Sequence, residues 1–306
     1  MGALESIRLI DHLRDPAMRA IYLPGLIAGL STVVVCALLS PLVVVRRLGF
    51  VGQGISHCAF GGVGVAAVLA AYGLLGRGSV MEFAVVSVFC ISAALGMGMI
   101  ADRRQTPEDS TIGMFLVGSM AVGALLVTMA RDHAAAAGRM PDTRSWESIL
   151  FGSVMVAGDV EMVLSIGVMV VVTAAVWLLR RALLFWAFDE DSARAFGVPA
   201  GAMRAALMIL LALVVVTAMR TAGVVLASAL LVLPGATALR LSDRLGTVVG
   251  ISIACGVIGL LVGMAMSIQL DWQPGPSIVL VMVAMFVAAL AWSRASRRVA
   301  ATPAAE

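Results

Sequence analysis

The sequence predicts an all-α, polytopic membrane protein: a helical bundle of eight or nine spans. Three observations predict it. Of 306 residues, 61% are apolar and only 13% are charged. The mean hydropathy is +1.04. Several separate apolar runs each approach or exceed the ~20 residues that cross a bilayer. A water-soluble domain runs closer to half apolar and a quarter charged, and a compact soluble fold of this composition would expose far too much apolar surface. A soluble enzyme, a disordered chain and a nucleic-acid module are thereby excluded.

Residues 1–20 read as an N-terminal interfacial segment. Ile7, Ile10 and Leu13 separate from Arg8, Asp11, Arg14 and Asp15 by helical period, which suits a helix lying along the membrane surface. A cleaved signal peptide is the competing reading; against it, the polar stretch is long and the following run is a full spanning length with no small-residue cleavage site behind it. Candidate spans cover about 21–45, 52–74, 80–101, 110–130, 159–180, 204–220, 222–240, 245–268 and 276–293. Gly223 and Pro234-Gly235 interrupt the sixth and seventh, so the count is eight or nine. Residues 21–293 form the bundle, 294–306 a cytoplasmic tail, and the whole chain reads as one transmembrane domain.

All 21 basic residues are Arg. A Walker A loop needs Lys to reach the phosphates, so no P-loop ATPase lies in this chain. If nine spans alternate, Arg46-Arg47, Arg103-Arg104, Arg180-Arg181, Arg194, Arg204, Arg240, Arg244, Arg294, Arg297 and Arg298 share one side. The positive-inside rule makes that side cytoplasmic and leaves the N-terminus outside. No block of like charges suggests a nucleic-acid partner. Cys36, Cys58, Cys90 and Cys255 are scattered through apolar runs without CxxC spacing and read as small packing residues. Glycines at 54, 61, 62 and 64, and at 256, 259 and 263, mark close helix–helix approach.

Three segments carry the chemistry. In Gly52-Gln53-Gly54-Ile55-Ser56-His57-Cys58, Gln53 and His57 are four apart and share a helix face. His57 alone of three histidines falls inside a clear span; His12 and His133 flank spans. An ionisable group in a span suggests function, and neutral imidazole ligates zinc and similar ions. The competing reading is a packing histidine. Ser56 and His57 are not a nucleophile–base pair, because adjacent helical residues point about 100° apart. The second segment runs from Phe188 to Pro199. Asp189, Glu190 and Asp191 open it, Arg194 follows one turn later, and Gly197 and Pro199 close it, as in a short capped helix. Phe188 and Phe196 add apolar anchors, and such an element either docks into another protein or is an ordinary interfacial helix. The third segment runs from Arg220 to Ala238. Pro234 kinks or ends a helix, and Ser228 and Thr237 are candidates to satisfy the freed backbone groups.

Taken together, these segments resemble the permease subunits of ATP-binding-cassette importers for zinc, manganese and related divalent metals. The likeness rests on Arg46-Arg47-Leu48-Gly49-Phe50-Val51-Gly52 leading into Ile55-Ser56-His57, on Phe188-Asp189 to Gly197, and on Gly223 through Leu230-Leu231-Val232-Leu233-Pro234-Gly235-Ala236-Thr237 to Ser242-Asp243-Arg244-Leu245-Gly246. It spans about residues 20–293. The resemblance implies a multi-pass subunit of the cytoplasmic membrane that pairs with a second permease chain, as a homodimer, to form a pathway. Cytoplasmic ATPase subunits would bind and hydrolyse ATP beneath it, and an extracytoplasmic binding protein would deliver the metal. No tightly bound cofactor is implied, only the passing ion: zinc first, manganese or iron as alternatives. His57 would line the pathway with Gln53 and Ser56. Phe188, Asp189, Glu190, Arg194, Phe196 and Gly197 would form the ATPase-coupling element, and Ser228 and Pro234 would belong to the gate. The family pattern places Asp where this chain has Gln53; losing a carboxylate weakens attraction for a cation, while an amide oxygen can still ligate. A channel or secondary transporter is the alternative, but nearly every acid falls near a span end, unlike the buried acids of ion-coupled carriers.

Overall fold

The computed structural model describes residues 16–76, 80–102, 108–136 and 158–300. Every regular element among them is an α-helix: α1 Pro16–Val45, α2 Gly49–Ala71, α3 Val80–Asp102, α4 Glu108–Ala136, α5 Asp159–Phe188, α6 Glu190–Ala195, α7 Ala200–Ala222, α8 Val224–Leu241, α9 Leu245–Leu270 and α10 Pro274–Ala300. All except the six-residue α6 are long and apolar enough to span, giving nine spans among the described residues. The chain is thus a multi-pass protein of the cell membrane. Residues 1–15 of the interfacial segment, Arg77, Arg103 and Arg104, most of the 131–158 connection and residues 301–306 lie outside the described residues. Residues 16–20 are the first turns of α1, and α10 continues through Arg294, Arg297 and Arg298 to Ala300.

The uncertain sixth and seventh spans are two helices joined by one residue. Gly223 takes φ 83 and ψ 164, a region that only glycine occupies without strain. Its N–H bonds Met219 O at 3.0 Å and its carbonyl accepts from Ala227 N at 3.0 Å, so one glycine ends α7 and starts α8. Nine alternating spans leave the ends of α1, α5, α8 and α10 on the Arg-rich side.

Helix α8 runs straight through Pro234, and the backbone accounting is completed by a neighbour. Ser40 of α1 accepts from Gly235 N at 2.8 Å and donates to Val232 O at 3.3 Å. Ser228 and Thr237 instead donate to their own helix, at Val225 O and Leu233 O. This contact requires glycine at 235: a Cβ there would stand 2.5 Å from the Ser40 carbonyl carbon. The other small residues act alike. A Cβ on Gly64 would meet the Gly123 backbone at 2.9 Å, and one on Gly263 the Ile278 backbone at 2.5 Å. Without a hydrophobic drive between helices in lipid, such close approach supplies the packing. All four cysteines are buried free thiols.

Gly235→Ala should therefore destabilise the bundle by about 1–3 kcal/mol, the range for overpacking a filled interior. Gly250→Ala is the control, since a Cβ there meets nothing within 4 Å. Melting curves of the two purified variants make the comparison; equal midpoints would refute the Ser40–Gly235 contact.

Candidate translocation strip and coupling helix

Two adjacent helices open one strip of the bundle. On α2, Phe50 and Gln53 are exposed and His57 is half-buried, while the residues between them are buried. The strip follows from the helical repeat: Phe50, Gln53 and His57 fall at intervals of three and four. Helix α8 packs beside it, with Gly49 and Gly52 facing Val232 and Leu231. Of α8, Val225 is exposed, and Ser228, Ala229, Val232 and Ala236 are among its half-buried residues. The structure thus brings Gln53 and His57 together on one face and sets Ser228 on the open side of a neighbouring helix. Pro234 is buried against α1 rather than open. Ser56 is fully buried and turned into its own helix, donating to Gly52 O at 2.9 Å.

His57 stacks on Phe60 with ring centroids 6.0 Å apart. Its Nδ1 is buried without a hydrogen-bond partner. Imidazole nitrogen and amide oxygen are both competent ligands for borderline divalent ions. No three His, Cys, Asp or Glu side chains converge among the described residues, so a cation on this strip would keep part of its water shell or take ligands from another molecule. His133 is elsewhere, stacked on Tyr72 at 4.3 Å where α2 and α4 end.

The second site is α6. Asp189 takes extended geometry and accepts from Ser192 N at 2.9 Å, an N-cap. The Ser192 hydroxyl, and then its backbone N–H, hold the Asp189 carboxyl below its ordinary pKa. At the other end Val198 N bonds Ala193 O at 2.9 Å, Gly197 N bonds Arg194 O at 3.1 Å, and Gly197 has φ +82. This is a Schellman close, which needs a left-handed residue at that position. A six-residue helix is too short to persist alone; caps and anchors hold it.

The main anchor is Glu190. Its carboxylate accepts from Arg46 at the end of α1, from Arg194 at 2.7 Å and from Arg204 in α7 at 3.2 Å. Partial burial opposes ionisation of Glu190. Hydrogen bonds from Arg46 and Arg194 and the charges of Arg204 and Arg46 outweigh it, drawing the pKa down to about 2. Arg46 also lies over the Trp186 ring at 3.9 Å, a cation–π contact. Glu190 therefore faces the bundle, while Phe188 and Phe196 face out, the latter 80% exposed. Phe196 leans on Phe185 with centroids 5.9 Å apart. The sequence motif held both groups without separating them.

Two partnerships had no local signal. Arg46 and Arg204 lie 144 and 14 positions from Glu190. Arg220, only 6% exposed, pairs with Glu161 at 3.0 Å across α7 and α5 near their outer ends; a charged pair at that depth needs such a partner.

The comparisons with known proteins agree with this architecture. The family model described as "ABC 3 transport family" matches residues 18–293. The manganese transport system membrane protein MntC of Halalkalibacterium halodurans is 32% identical over 88% of this chain and 86% of its own length. The chelated iron transport system membrane protein YfeD of Yersinia pestis is 27% identical over 93% and 90%. Among solved structures, PsaBC from Streptococcus pneumoniae in complex with Fab superposes with a TM-score of 0.74 at 26% identity, covering 92% of this chain and 94% of that one.

Glu190→Gln should loosen α6 by about 2 kcal/mol, less than the full cost of breaking a wholly buried pair because the site is partly wet. Hydrogen exchange of residues 189–198 reads it; unchanged protection would remove Glu190 as the anchor. The folded pKa lies below the ordinary value, so this stabilisation is complete above the ordinary carboxylate pKa and fades as pH falls toward about 2. Exchange of α6 should accordingly show no titration of this contact between about pH 6 and 8.

Proposed function

Because the chain belongs to the ABC 3 transport family, we propose that it is the membrane-spanning permease subunit of an ATP-driven importer of divalent transition metals. The observation that carries the proposal is the strip on α2. The one histidine in the middle of a span is open on a bundle face, one helical turn from Gln53, beside the uncovered side of α8. Two copies of the chain, related by a two-fold axis, would face these strips toward each other. Two His–Gln pairs then give an ion enough ligands to leave bulk water and few enough to let it go.

Metal passes as cargo, with no bond made or broken. A similar protein is named for manganese and another for chelated iron, which turns the choice toward these two and away from zinc. With an amide in place of a carboxylate at position 53, the strip attracts cations weakly. Selectivity then rests on ligand geometry and on what an extracytoplasmic binding protein delivers. Energy comes from separate cytoplasmic ATPase subunits. These dock on α6 through Phe188, Phe196 and Arg194, with Asp189 and Gly197 shaping the helix and Glu190 tying its movement to α1 and α7. Ser228 lies on the pathway side of α8. Pro234 and the Gly223 joint give that helix its places to bend.

In vesicles holding the complete transporter, His57→Ala should lower uptake at limiting manganese by at least about tenfold, the lower range for disturbing a metal site. Gln53→Asp should raise uptake under the same conditions. Membrane insertion should be normal in both. Unchanged uptake by a correctly inserted His57→Ala protein would defeat the pathway assignment.

A further inference from the structure

A second concave site lies away from the α2–α8 strip. It is an apolar groove of about 200 Å³ walled by α1, α5, α8 and α9, with Val45, Leu184, Phe188, Leu239 and Leu245 in its lining. Arg180 is its single charged lining residue. Val45 and Phe188 are the last residues of their helices, Leu239 lies in the last turn of α8, and Leu245 opens α9. Its mouth is therefore at the cytoplasmic boundary of the membrane.

The segments that wall the mouth are rich in Arg. Arg181, Arg240 and Arg244 adjoin lining residues, and Asp189 and Asp243 are the acids nearest them in sequence. Asp189 is occupied in capping α6. No carboxylate among the described residues pairs with Arg180. Its guanidinium instead stands 5.2 Å from the ring of Trp177, which is 62% exposed. An exposed Trp–Arg pair on a membrane-facing helix marks the headgroup–acyl boundary, where Arg snorkels toward the interface.

We propose that this groove binds an anionic phospholipid of the cytoplasmic leaflet, one acyl chain between α5 and α9 and the phosphate on Arg180 and the neighbouring rim. Charge complementarity selects the headgroup, because basic residues at this leaflet attract anionic lipids. The apolar walls hold the chain.

The test is a lipid titration of the purified full chain, delipidated in mild detergent, followed by native mass spectrometry. The probes are phosphatidylglycerol and phosphatidylcholine with identical acyl chains. Wild type should prefer phosphatidylglycerol. Arg180→Gln should lower that affinity by about fivefold, the contribution of one basic residue near an anionic surface, and lower phosphatidylcholine binding less, because the choline cation already offsets its phosphate. Arg180→Lys should keep the preference. Gly246→Leu places a side chain in the groove, where a Cβ meets nothing within 4 Å, and should weaken both lipids together. Equal binding of the two lipids to wild type, or an intact preference in Arg180→Gln, would overturn the proposal. So would a Gly246→Leu protein that changes its monomer–dimer ratio without changing lipid binding, since a second copy would then own the groove.

Discussion

A carboxylate held by three guanidinium groups at the foot of a bundle cannot move without moving the helices that carry them. Glu190 links α6 to the end of α1 and to the first turns of α7. Everything proposed for energy transfer depends on that link. The six residues of α6 have no stability of their own, yet N-cap, Schellman close and ion pairs make them a rigid handle. Phe196 of the handle faces away from the bundle, and its acid faces in. On the proposed reading, a force applied at Phe196 would pass through Glu190 to α1, whose Ser40 bonds the backbone beside Pro234, and to α7, which ends at Gly223.

Above this handle the fold obeys a single requirement of lipid: every backbone polar group needs a partner inside the protein. Ser40 answers for the irregularity around Pro234, and Gly223 lets one helix end and the next begin without an exposed loop. Both devices act on α8, which borders the open strip. The bundle is tightest where glycines allow backbones to touch, as Gly235 does against Ser40.

Much of the fold was legible because a bilayer simplifies the rules. Apolar run length placed the spans. Capping chemistry identified α6 from Asp189, Gly197 and Pro199. The four-residue spacing of Gln53 and His57 correctly put them on one face. What stayed hidden was pairwise and distant. Nothing near Ser40 announces that it serves residues in another helix. The motif around Glu190 does not say whether the carboxylate faces an outside partner or Arg46 and Arg204. Ser56 looked like a companion of His57, but adjacency on a helix is divergence in space, and its hydroxyl turns to Gly52. The pair Arg220–Glu161 joins two span ends whose charges, read locally, mark only boundaries.

The function proposed above is a division of labour in which the bundle would offer a weak, hydrated stepping place for an ion and the work would be done on a handle below. Accumulation of manganese in sealed vesicles tests that division most directly, comparing this chain alone with the chain joined by its ATPase subunits and ATP. The account predicts uptake against a gradient only in the second preparation. Concentrative uptake by the chain alone would contradict it.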